Sequence, residues 1–281
     1  MNAMKLQLSA AALVLGVVMT PPVLVNAQWP NFPDKKIPRS SDGKVNFDAP
    51  APRTADGKID FTGVFENLWF YNGRIGQPPK SGPGEPPQTT FAEIGAGFKD
   101  GLPFRPWAKQ LHDERKAQNA KDNPDAHCLP MGLMQFHIHP QPRKIVQTDK
   151  VMIVMYEGNA GLRQIFLDGR PLPKNGDVQP FWYGYSTGHW DGDTLVIESN
   201  NFRDDGWLDI NGSPLTDQAT MTERWQRLSY GTLRIDVTID DPKAYTAPFT
   251  VRLTQRIVPD GELIEFICAE NERSTAHMVG K

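Results

Sequence analysis

From residue 144 to residue 268 the chain is cut at short intervals by turn dipeptides lying between apolar, β-branched runs, and this rhythm constrains the fold more than any other feature. Lys144–Thr148 and Val151–Glu157 meet at Asp149-Lys150, and Leu162–Leu167 ends at Asp168-Gly169. Trp182–Trp190 and Thr194–Ser199 flank Asp191-Gly192, a strong hairpin signal. Thr220–Leu228 and Thr232–Ile239 meet at Tyr230-Gly231, and Phe249–Val258 and Leu263–Cys268 meet at Pro259-Asp260-Gly261. With an earlier strand this makes roughly ten strands in successive hairpins. Parallel strands need long crossovers, usually helical, and no helical pattern follows residue 125. The pattern therefore predicts an all-β, mostly antiparallel meander, closed into a barrel or folded into a two-sheet sandwich. Closure would remove the exposed edges that an open meander leaves.

The remaining segments attach to this body. Gly63 to Asn72 reads as the first strand, residues 73–90 as a Pro/Gly loop, and Pro106 to Asn119 as one short helix with Pro124 beyond its end. Residues 28–61 read as an extended arm containing a near-repeat: Pro38-Arg-Ser-Ser-Asp-Gly-Lys-Val45 returns as Pro52-Arg-Thr-Ala-Asp-Gly-Lys-Ile59. Two copies are too few for a solenoid. Residues 1–27, with Lys5, an apolar run from Leu8 to Met19 and Val25-Asn26-Ala27, match a secretory signal peptide. The expected organisation is thus a leader over 1–27, an arm over 28–61 and one β-rich domain over 62–281, working in the periplasm or outside the cell. The 25 Pro and 24 Gly agree with many turns, and a net charge of −3 without a basic block leaves no footprint for nucleic acid. No apolar stretch after residue 27 approaches membrane-spanning length.

Two cysteines, Cys128 and Cys268, would enter an oxidising compartment. A disulfide is the natural reading, a reactive thiol the alternative, and neither cysteine has CxxC spacing.

Several segments carry a resemblance. Asp56-Gly-Lys-Ile-Asp-Phe-Thr-Gly-Val-Phe65, Lys144-Ile-Val-Gln-Thr148, Arg163-Gln-Ile-Phe-Leu-Asp-Gly-Arg170, Gly184-Tyr-Ser-Thr-Gly-His-Trp-Asp-Gly-Asp-Thr-Leu-Val196 and Val237-Thr-Ile-Asp-Asp-Pro-Lys-Ala-Tyr-Thr246 resemble an uncharacterised family of secreted, β-rich proteins from environmental bacteria. The resemblance implies secretion and a β-rich fold, and it transfers no catalytic residue. Phe65 stands where that family usually has Trp, and Tyr185 where His is expected.

Candidate chemistry comes from polar residues on apolar strand faces. Glu223 alternates with Met221 and Trp225, Glu157 with Ile153 and Met155, and Arg163 with Ile165 and Leu167, so all three are expected to point inward. Burial would raise an unpaired carboxylate's pKa and a guanidinium would lower it, giving either an acid/base group or a buried pair. Aromatics gather at Trp182, Tyr183 and Tyr185 and again at Trp190, where flat rings suit an aromatic or sugar ligand, and His189 or Tyr185 would move protons. His137 and His139, two apart, would share a face on a strand and offer a transition metal two ligands. No other cofactor is indicated, and no nucleotide loop, nucleophile elbow or zinc box occurs.

The leading expectation is a secreted small-molecule enzyme, a lyase, isomerase or hydrolase of an aromatic or glycosidic compound, with Glu223, Arg163, His189 and Tyr185 as catalytic candidates. Trp182, Tyr183, Trp190 and Glu157 would bind the ligand. The alternatives are a periplasmic carrier with a calycin-like cavity and an envelope interaction module that uses the arm.

Overall fold

The computed structural model describes residues 34–68, 70–71, 74–75, 80–268 and 270, so the expected leader over 1–27 and the start of the arm lie outside the described residues. Nine strands form a closed barrel. They are β1 (Gly63–Asn67), β2 (Arg143–Gln147), β3 (Val151–Tyr156), β4 (Leu162–Phe166), β5 (Tyr185–Asp191), β6 (Thr194–Asn200), β7 (Thr220–Arg227), β8 (Thr232–Asp240) and β9 (Phe249–Ile257). Each pairs with its neighbours in sequence, and β9 closes on β1 through Phe65 opposite Ile257 and Asn67 opposite Gln255. Of the two expected architectures, the barrel is the one formed.

An odd number of strands cannot alternate direction all the way round a ring. One neighbouring pair must run parallel, and here it is β4 with β5. A parallel partner cannot follow through a tight turn, so residues 167–184 return the chain to the start of β5. The expected strand beginning at Trp182 accordingly starts only at Tyr185. The parallel contact is short, with Ile165 opposite Ser186 and Phe166 opposite Thr187. Gly184 turns the chain into β5 at φ +69°, where a side chain would press on Phe202 and the Asn200 carbonyl.

Strand alternation builds the interior. Along β8 the residues Leu233, Ile235, Val237 and Ile239 are buried while their neighbours are partly exposed. Met221, Glu223, Trp225 and Arg227 do the same on β7, and Met152, Val154 and Tyr156 on β3. The expected inward face of β3 is therefore displaced by one residue: Glu157 lies beyond the strand, half-buried, and accepts the Ile264 amide at 2.9 Å. A second correction falls on Leu263–Cys268, which is not a strand. β9 is already paired on both sides, so the closed ring has no edge to offer it.

Both ends of the barrel are covered. Helix α1 (Pro106–Ala117) starts with Pro at its first turn and lies outside, its Trp107 indole donating to the Lys243 carbonyl. Helix α2 (Leu133–Ile138) buries all six of its residues at one end. His137 thus lies on a helix and not on the strand considered for it. At the other end the arm folds in: Phe61 is fully buried against Trp225 and Trp190, while Gln147 accepts the Phe61 amide and donates to the Ile59 carbonyl. The near-repeat is one turn built twice, with bridges Arg39–Val45 and Arg53–Ile59. Each copy sends its arginine to a turn of the barrel, Arg39 to Asp260 and Arg53 to Asp193.

Cys128 and Cys268 form a disulfide with Cα atoms 5.5 Å apart. It ties the segment before α2 to the chain following β9. No helix among the described residues is long and apolar enough to cross a membrane.

Candidate active site

Glu223 sits on the inner face of β7 with no exposed surface. Arg163, inward on β4, meets its carboxylate with Nη2 to Oε1 at 2.5 Å and Nη1 to Oε2 at 3.2 Å. The Trp225 indole N–H donates to Oε2 at 2.9 Å, and His137 Nε2 approaches the same oxygen at 2.9 Å. Four donors thus surround one carboxylate. Burial alone would raise its pKa, but the Arg163 guanidinium and the His137 contact hold it far below the usual carboxylate range. Glu223 is therefore a permanent anion, unsuited to exchanging a proton near neutral pH.

His137 is the more mobile proton site. It arrives from α2 rather than from a strand, and it is fully buried. Burial pushes its pKa down, Arg163 and Arg143 push the same way, and the Glu223 anion only partly offsets them. The ring is then neutral, with Nε2–H donating to Glu223. Among the described residues Nδ1 is left with its lone pair and no hydrogen-bond partner. A carboxylate that fixes the tautomer of an imidazole and leaves the far nitrogen free is the arrangement of a general base.

Around this pair the barrel contributes further polar groups. Ser186 and Ser199 accept from Arg163 at 3.1 and 3.0 Å through Nη2 and lie 2.8 Å from each other. The Tyr156 hydroxyl faces the Arg163 guanidinium without a hydrogen bond of good geometry, and burial raises its pKa. Its ring stacks on Phe136 of α2 at 4.4 Å. Arg143, inward on β2 and opposite Tyr156 in register, donates to the His137 carbonyl at 2.9 Å.

A cavity of about 250 Å³ opens at the parallel seam, lined by Leu162, Arg163 and Gln164 on one side and by Phe181, Trp182, Tyr183 and Tyr185 on the other. It lies where the short pairing of β4 with β5 stops. Arg163 and Ser186 belong to both the cavity wall and the Glu223 network. Tyr183 leads inward, its ring 6.2 Å from that of Tyr156.

The structure brings Glu223 and Arg163 together and puts Trp182, Tyr183 and Tyr185 at the seam. Tyr185 faces outward, where Arg170 donates to its hydroxyl at 3.2 Å. His189 is exposed on the outer face of β5, away from Glu223's side of the strand. Trp190 packs on Phe61 at the arm end, and Glu157 lies outside the interior. His137 and His139 do not share a strand face: the first reaches Glu223, whereas the second lies edge-on to Phe91 at 4.8 Å. Among the described residues no three His, Cys, Asp or Glu side chains converge as metal ligands. Tyr156, Arg143, Ser186 and Ser199 were not anticipated, although Arg143 alternates with Ile145, and Tyr156 with Val154.

No family model, no curated protein and no solved structure matches this chain.

Proposed function

We propose that this chain is an exported enzyme that moves a proton on a small organic molecule, as an isomerase or lyase does, with His137 as the base. The observation that carries this reading is the bare, buried Nδ1 of an imidazole whose other nitrogen is tied to a permanent carboxylate. On taking a proton His137 becomes an imidazolium, and Glu223 is already in place to stabilise it. Glu223 and Arg163 are then positioning residues. The Tyr156 hydroxyl, beside Arg163 and free of a good hydrogen bond, would donate to oxygen charge developing on the substrate. The seam cavity, with its aromatic wall, would be the way in. The disulfide supports export.

The test is to incubate purified protein with a metabolite extract in D2O and follow masses. Wild type should place deuterium in, or convert, a small set of compounds, and His137→Gln should lower that rate by about 10²-fold or more. Retention of a compound without exchange or turnover would favour the second reading, a carrier that grips its ligand among Phe181, Trp182, Tyr183 and Tyr185.

A further inference from the structure

Among the described residues the barrel interior holds two fully buried guanidiniums, Arg163 and Arg143, and their partners differ. Arg163 has Glu223. No carboxylate reaches Arg143 among the described residues. It donates to the His137 carbonyl at 2.9 Å and to the His139 carbonyl at 3.5 Å, and its Nε has no partner among the described residues. Both carbonyls already have other donors: Gln255 Nε2 reaches that of His137 at 3.5 Å, and Asn67 Nδ2 reaches that of His139 at 2.6 Å. Arg143 is the shorter donor to the first carbonyl and Asn67 the shorter donor to the second, so each has a donor besides Arg143. Counting Glu223 as −1, the two arginines as +1 each and His137 as neutral, the α2 end of the interior carries one uncompensated positive charge. A lone buried charge is strongly unfavourable unless something compensates it.

We infer that this end of the barrel is a binding site for a carboxylate anion, held by the Arg143 guanidinium with the Tyr156 hydroxyl beside it. The inference deepens the reading above, since it names the substrate class, and it rests on that reading only for the use made of His137. A planar fork matches a carboxylate. One net charge suits a monoanion better than a phosphate dianion. Tyr156 lies opposite Arg143 in register, with the guanidinium carbon 5.8 Å from its ring centre. Phe136 and Tyr183 flank Tyr156 at 4.4 and 6.2 Å, so the neighbouring walls suit a flat, unsaturated body. A carboxylate held here would place its adjacent carbon in the part of the interior that His137 and Tyr156 share.

The experiment uses the whole disulfide-bonded protein with benzoate as probe and benzamide as its neutral counterpart. Benzoate should raise the unfolding temperature and bind measurably by calorimetry, while benzamide binds at least 10-fold more weakly. Arg143→Gln should reduce benzoate affinity at least 10-fold, and Tyr156→Phe about threefold. If Arg143→Gln does not fold, the wild-type contrast and Tyr156→Phe carry the test. Equal binding of both probes, binding of neither, or benzoate binding untouched by Arg143→Gln would overturn the site. His137→Gln should keep benzoate binding while losing deuterium exchange. Exchange on neutral compounds without benzoate binding would remove the anion site alone. Benzoate binding without any exchange would remove the proton-transfer reading and leave the site.

Discussion

The two ends of the barrel are closed in different ways. At the arm end, polar groups that reach inward find good partners: Gln147 is paired at both ends of its amide, and Arg227 donates to the carbonyls of Asp60, Thr62 and Tyr230. Only the Arg227 Nε lacks a partner there among the described residues named. At the α2 end, Asn67 Oδ1, His137 Nδ1, Arg143 Nε and Gln255 Oε1 are buried with none among the described residues. Folding alone selects for the first arrangement, because each unmet buried polar atom costs about 1–3 kcal/mol. Under the proposed function, the cluster of such atoms at one end is the part of the interior reserved for a substrate.

Glu223, which lies between the two ends, carries the largest expected effect. Glu223→Gln should lower unfolding free energy in urea by about 3–5 kcal/mol, because it strands Arg163 in the interior. A loss under about 1 kcal/mol would mean that the network holds little of the fold. The next effect is one of pH. Burial and the neighbouring Arg143 hold His139 down to about 4, so the folded state keeps it neutral where the unfolded chain would protonate it. Stability from this group is complete above pH 6.5 and falls as pH drops towards 4, by about 3 kcal/mol in all. His137, shifted in the same direction, steepens the fall. Urea unfolding at pH 7, 5.5 and 4 should show this slope, and His139→Gln should flatten it; an unchanged slope would place the acid sensitivity elsewhere.

Smaller effects separate the ends further. Arg143→Met removes a charge without a carboxylate partner, so stability should change by no more than about 1 kcal/mol or should rise. A loss as large as that for Glu223→Gln would make Arg143 structural and erase the contrast. Arg53→Ala cuts an exposed pair with Asp193 at the arm end, and the thermal midpoint should scarcely move. A large drop would show that the arm's docking depends on that ion pair rather than on Phe61.

How far the site could be read from residues depends on how sharply each strand alternates. Met221-Thr-Glu-Arg-Trp225 has polar residues between apolar ones, and so its inward face, with Glu223, was legible. So was that of Arg163 with Ile165. Val151-Met-Ile-Val-Met-Tyr156 is apolar on both faces, and nothing in it fixes which set is inside. With Glu157 taken as inward, Tyr156 falls on the outer face. Helix α2 spans fewer than two turns and is bracketed by Pro130 and Pro140, too short for a 3.6-residue period to show. The meander and its turns were legible because hairpin chemistry is local. The choice between a closed ring and a two-sheet sandwich was not, since it depends on strands far apart in sequence, β1 and β9.

The parity of the ring has a further consequence. A tenth strand, or the loss of one of the nine, would let every neighbour run antiparallel, and the topological need for the seam would vanish together with the long return over residues 167–184. The gap beside Arg163 is in that sense a defect that the strand number obliges the barrel to carry. Because the return segment supplies Phe181 to Gly184 on one side of the gap, its length and side chains can vary while the hydrogen-bonded ring stays as it is. If the gap is the entrance proposed above, what it admits can diversify in that segment, separately from Glu223 on β7.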